Sequence, residues 1–199
     1  MKKVLLMIAL PVCLVMGQDQ PELPGWGVYV GYGMMGATGD DFGSDSTTTT
    51  GGPGFGVSKG VWLGGMPLQV GVGLHPRGFK KEIEEGDFKS TQDWKLQYLD
   101  LWAQMPYPLG PVFLAAGLNV GMFVGGTVET GLEFLGESIS EESKLESDAF
   151  GLDYGLNFGV AYPIGDTGAQ VGVLYVLGLE ESNVGAKFNG LFFNAGYSF

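Results

Sequence analysis

From Trp26 onward, apolar side chains recur at every second position over long runs, the period of an extended strand with one greasy face. In the run 26–37, Trp26, Val28, Val30, Tyr32 and Met34 alternate with Gly27, Tyr29, Gly31, Gly33 and Met35. A second run, from about Pro53 to Gly64, puts Phe55, Val57, Val61 and Leu63 on one side, with Lys59 among them. A third, 68–79, sets Leu68, Val70, Val72 and Leu74 against Gln69, Gly71, Gly73 and His75, and Pro76 is expected to interrupt its ladder. The fourth, 94–105, opposes Leu99, Leu101, Ala103 and Met105 to Tyr98, Asp100, Trp102 and Gln104. The fifth, 112–125, is the cleanest, with Leu114, Leu118, Val120 and Met122 facing away from Phe113, Gly117, Asn119, Gly121 and Phe123. Runs 149–162 and 168–180 follow, the first carrying Asp153 and Asn157 on its less apolar side, and the run 188–199 ends in Ala195, Tyr197 and Phe199.

The intervening segments alternate in length. Thr38–Gly52, Lys80–Asp93 and Thr127–Asp148 are polar, charged and read as long loops, whereas Gly64–Pro67, Pro106–Pro111 and Pro163–Thr167 read as short turns. Eight strands with long connections at one end and short ones at the other predict an all-β fold, a closed antiparallel up-and-down eight-stranded transmembrane β-barrel spanning 26–199. A soluble barrel would stock its second face with charge. Here that face is mostly Gly, Ala, Asn, Gln and Ser, so the greasy face is assigned to lipid and the glycine-rich face to a narrow lumen. Lys59 then sits on the lipid side, where about 2–4 kcal/mol at the midplane falls to near zero at the interface. Snorkelling costs less than turning four apolar residues inward, and a bulge is the alternative.

Composition sharpens the picture at both ends. Residues 1–17 combine Lys2 and Lys3, an apolar run from Val4 to Met16 and the small residue Gly17, a secretory signal peptide too short to span a membrane. Residues 18–25 are then a short periplasmic segment. Cys13 is the only cysteine and leaves with the signal, so neither disulfides nor a thiol nucleophile remain. Without Lys2 and Lys3 the formal net charge moves from −12 to −14, which disfavours nucleic acid. The aromatic alternation ending at Tyr197 and Phe199 is similar to the signal by which outer-membrane barrels are assembled, and implies the barrel-assembly machinery and periplasmic chaperones as partners.

Candidate chemistry is sparse. Asp100 and Asp153 point inward and need partners, with Arg77 or Lys95 within reach. His75 is the one histidine and has no recognisable serine partner, so no catalysis, cofactor or metal is expected. The lumen residues are expected to be Tyr29, Gly73, Asp100, Phe113, Gly117, Asn119, Gly121, Phe123, Asp153 and Asn157, as a structural plug or a pore lining. Trp26, Trp62, Trp94, Trp102, Tyr162 and Tyr197 lie near strand ends or lumen edges, and some are expected in interfacial girdles.

Three segments carry a family resemblance: Gly71–Lys80 (GVGLHPRGFK), Lys95–Leu101 (KLQYLDL) and Phe113–Gly121 (FLAAGLNVG). They resemble the small outer-membrane β-barrel domain family, often called porin-like, with Asp100 where that family usually has Glu and Trp102 where it often has Pro. The resemblance implies a barrel in the outer membrane and leaves the role open; the chain is expected to be a monomer surrounded by outer-membrane lipid. Two roles stay in view: a structural or surface-interaction scaffold, and a narrow channel for ions or small solutes. The second requires a continuous water path.

Overall fold

The computed structural model describes residues 25–39, 47–135, 137–146, 150–179 and 185–199. The signal peptide, Cys13 and most of the segment before Trp26 lie outside the described residues. Ten strands are present among the described residues: β1 (Trp26–Thr38), β2 (Thr47–Thr48), β3 (Thr50–Leu63), β4 (Met66–Glu85), β5 (Phe88–Leu109), β6 (Val112–Phe134), β7 (Glu137–Leu145), β8 (Leu152–Pro163), β9 (Ala169–Gly178) and β10 (Lys187–Ser198). Eight of them close a ring in the order β1-β3-β4-β5-β6-β8-β9-β10, every neighbour antiparallel. The seam pairs β1 with β10 from Gly27↔Ser198 to Thr38↔Lys187, so no edge is left open there. Gly64 and Gly65, with φ of 58° and 84°, make the two-residue turn between β3 and β4, the left-handed geometry that matches strand twist.

The side chains are distributed inside out relative to a water-soluble protein. Val30, Leu101 and Leu118 are 63%, 61% and 60% exposed on the outside, while Arg77, Asp100, Asp153, Asn119 and Asn157 are buried within. An outward band of Val, Leu, Phe and Tyr around a polar, charged lumen is the signature of a barrel in hydrocarbon. Lys59 stays on the lipid side with no bulge, because β1 and β3 keep register through Trp26↔Lys59, and its ammonium lies 4.9 Å from the centre of the Trp26 ring at the turn end.

Four sequence expectations change. Lys80–Asp93 is not a loop: β4 and β5 remain paired from Gln69↔Gln104 to Glu85↔Phe88, turning only at Gly86 and Asp87. Pro76 does not interrupt that ladder and pairs with Gln97 in register. Thr127–Asp148 is mostly strand, since β6 continues to Phe134 and returns as β7, whose partner among the described residues is β6 alone. Pro106–Leu109 likewise belongs to β5, which leaves Gly110 and Pro111 as the turn. At the long-connection end, β4 to β7 therefore rise as a sheet above the barrel, with β2 pairing Lys80 and Lys81 at its other edge. A register shift between Gln97 and Tyr98 leaves Val124 unopposed on β6, a bulge at the foot of this sheet.

Candidate functional site

The lumen is built from glycine and large rings in register. Tyr29 on β1 projects over Gly56 and Gly73, and a methyl group at either glycine would strike its hydroxyl. Trp102 lies over Gly71 and Phe192 over Gly54 in the same way. The inner face is rich in glycine because each ring occupies space that a neighbour's Cβ would fill.

A chain of hydrogen bonds crosses this layer. Trp102 Nε1 donates to the Tyr29 hydroxyl at 3.2 Å, and that hydroxyl is 3.0 Å from His75 Nε2. His75 Nδ1 meets Asp100 Oδ2 at 2.6 Å. The network assigns the Nδ1 proton to the Asp100 side, so Nε2 accepts from Tyr29. Arg77 Nη2 donates to both oxygens of Asp100, at 3.2 and 3.0 Å, while its Nε donates to Asp153 Oδ2 at 2.9 Å. The guanidinium thus bridges two carboxylates contributed by β5 and β8, with its own backbone on β4. Lys95 takes no part: it faces outward and pairs with Asp93 and Glu129.

On the turn side of this network lies a cavity of about 150 Å³, lined among others by Ser58, Gln104, Gln170, Asn119, Asn157 and Ser198. Both polar atoms of the Asn119 amide and the Asn157 carbonyl oxygen are buried without a protein partner. A polar chamber of this size is large enough to be hydrated. On the opposite side the lumen is filled by Ala37, Phe79, Leu96, Tyr98, Phe123, Phe150, Ala186 and Phe188, each no more than 3% exposed. Tyr98 stands 5.6 Å from Phe123 and 5.9 Å from Phe188, and Phe123 stands 5.2 Å from Phe150, centre to centre. This aromatic layer draws on β1, β4, β5, β6 and β10 and on residues 150 and 186, and it closes the end of the lumen that faces the long connections.

Each residue singled out from sequence has a definite place. Tyr29 and Asp100 belong to the hydrogen-bonded chain, Asp153 ends it, and Gly73 lies beneath the Tyr29 hydroxyl. Gly117, Asn119 and Gly121 run along the inner row of β6, with Gly121 against Asp100, and Asn157 opposes Gly117 from β8. Phe123 is part of the aromatic layer, whereas Phe113 sits at the turn-end mouth, 37% exposed. Tyr197 and Phe199 stack on the outside at the turn end, ring centres 6.4 Å apart. Of the girdle candidates, Trp26, Trp62, Tyr162 and Tyr197 are exposed, but Trp94 and Trp102 are not girdle residues: Trp94 stacks on Phe79 and Trp102 bonds Tyr29. Sequence reading gave no role to Phe79, Leu96, Phe188 or Phe192, whose signal is bulk at inward positions of a glycine-rich face; Phe150, which alternation places on the apolar outer side with Leu152 and Tyr154, instead packs into the lumen, because it precedes β8 and Gly151, with φ of 70°, breaks the alternation there.

The raised sheet has two unlike faces. On the side continuous with the barrel exterior, Lys89 pairs with Glu82 and Glu84, and Lys95 with Asp93 and Glu129. The hydrogen bond from Lys89 holds the Glu82 carboxyl below its usual range, and the two glutamates raise the Lys89 ammonium. The side continuous with the lumen carries Ile83, Phe88, Leu132, Phe134 and Ile139, all exposed.

Solved structures share this architecture at low sequence identity. Neisserial surface protein A is 13% identical over 90% of this chain and 100% of its own, with a TM-score of 0.50. Ail, the attachment invasion locus protein of Yersinia pestis, is 13% identical over 88% of this chain and 99% of its own, with a TM-score of 0.46. No protein-family model and no curated protein sequence matches the chain.

Proposed function

We propose that the protein is an integral outer-membrane barrel that acts as a sealed anchor, and that its work is done outside the membrane by the sheet that β4 to β7 raise above it: a surface-interaction scaffold, without catalysis. The observation that carries this reading is the aromatic layer around Tyr98, Phe123, Phe150 and Phe188, which fills the lumen just below the raised sheet. Solute entering the chamber from the turn end meets Arg77, Asp100 and Asp153 locked to one another, and then this layer. The turn end also holds the start of β1 and the end of β10, paired at Gly27↔Ser198, and short turns are the periplasmic side of such barrels. The raised sheet then faces the medium.

Export by the segment 1–17, and assembly through the aromatic alternation at Tyr197 and Phe199 with chaperones and the barrel-assembly machinery, belong to the same proposal. The hydrogen-bonded chain resembles a relay, but its groups satisfy one another and none is aimed at a substrate position, so it is assigned to holding strands together.

Planar-bilayer recording separates the anchor from the narrow channel. The refolded protein is expected to give no reproducible steps, and Phe123→Ala with Phe188→Ala to introduce them. Steps in the unaltered protein, abolished by enlarging Gly117 or Gly121, would establish the channel instead.

A further inference from the structure

Two adjacent cross-strand rows on the lumen-side face of the raised sheet read Glu85–Phe88–Phe134–Glu137 and Ile83–Ser90–Leu132–Ile139. Four strands span about 14 Å across and the rows lie about 7 Å apart. Phe134 is 58% exposed and Ile139 75%. Two phenyl rings therefore stand between two carboxylates, above an aliphatic row, and the next row down runs from Lys81 on the far edge, three strands away, to Glu141.

The distribution of lysines makes this face chemically specific. Residues 80–93 and 127–145 hold ten acidic side chains and four lysines. On the opposite face, Glu82, Glu84, Asp93 and Glu129 each have a lysine within ion-pair distance. Among the described residues, Glu85, Glu137 and Glu141 make no ion pair, although they frame the apolar stripe. Carboxylates without counter-charge around exposed phenyl faces suit a ligand whose ammonium or guanidinium groups lie beside apolar side chains, because the same cation meets a carboxylate and a ring.

We propose that this face docks a cationic amphipathic polypeptide segment, with its apolar side on Ile83, Leu132, Ile139, Phe88 and Phe134 and its Lys or Arg side chains on Glu85, Glu137 and Glu141. A stretch of about ten helical residues matches the width of the sheet. The proposal rests on the reading of the raised sheet as the working surface and names the class of its partner.

The test uses the full folded protein in zwitterionic nanodiscs, with empty discs as the blank. The probes are an 18-residue peptide of Leu and Lys patterned as an amphipathic helix, a peptide of the same composition in scrambled order, and a Leu–Glu counterpart. Fluorescence anisotropy is expected to show saturable binding of the patterned cationic peptide alone. Glu85→Gln with Glu137→Gln, and separately Leu132→Ser with Ile139→Ser, should each weaken it by about tenfold or more, while Glu82→Gln with Glu84→Gln leaves it unchanged. Heat-dependent gel mobility checks that every variant is folded. Equal binding of the scrambled peptide, equal loss in the Glu82/Glu84 variant, absence of binding, or an Ile139-dependent dimer of the protein itself would overturn the proposal. Conductance is read separately, so a conducting barrel that still binds the patterned peptide sinks the sealed-anchor reading and leaves this one standing.

Discussion

Replacing Arg77 with methionine would strand Asp100 and Asp153 in the lumen as two carboxylates without a cation, since both of their ion pairs among the described residues other than His75–Asp100 run to this guanidinium. Breaking a buried pair from one side typically costs about 3–5 kcal/mol. Equilibrium unfolding in urea from detergent micelles should register a loss of that order, and adding Asp100→Asn and Asp153→Asn to Arg77→Met should recover most of it. If the single variant unfolds at the midpoint of the parent, the cluster is not what braces the barrel. Asp100 and Asp153 were legible as inward carboxylates, because strand parity alone decides which face a residue takes. The same parity sets Lys95 aside, on the outer face with Leu99 and Leu101, and puts Arg77 on the inner face with Gly73 and His75. That one guanidinium meets both carboxylates was not legible, because it depends on the stagger of β4 against β5, which fixes the height of each side chain along the axis.

Strand existence and facing were readable wherever lipid touches the chain, since hydrocarbon enforces apolar alternation on every exposed position. Above the membrane that constraint ends. Lys80–Asp93 and Glu129–Glu142 are paired strands whose outer face meets water, so charge replaces the apolar signal and the segments read as loops. The bulge at Val124 adds to this by exchanging the parity of β6: Phe123 and Gly121 face inward below it, and Val128 and Leu132 lie on the lumen side above it. Pairing in the upper sheet is an extension of the ring and not part of its closure. Substituting an Asn-Gly turn for Lys80–Asp93 should therefore leave a barrel that still runs anomalously on unheated gels and resists trypsin. A variant that no longer refolds would mean that the upper hairpin contributes to barrel stability.

The whole molecule has a polar chamber at the turn end and an aromatic seal at the other. Cys13 being the sole cysteine, a single thiol placed in the chain without its first 17 residues reports accessibility cleanly. Asn157→Cys should react with a small charged maleimide added at the turn side of reconstituted vesicles and stay unlabelled from the raised-sheet side; labelling from both sides would show a path through the seal. Removing both rings of Phe123 and Phe188 should open the second side. The overall cylinder, the lipid-facing band and the polar lumen were all anticipated by the sequence. The seal was not, because it is made by residues such as Leu96, Phe150 and Phe188 that are remote in the chain and become neighbours only across the axis.

The guanidinium of Arg77 draws its carboxylates from β5 and β8, with all of β6 and β7 threaded between those two strands. A partial sheet lacking β8 would carry the Arg77–Asp100 pair into hydrocarbon with the Arg77 Nε donor unmatched and Asp153 still outside. That penalty favours entry into the bilayer and curling of the sheet proceeding together over an order in which hairpins cross one at a time.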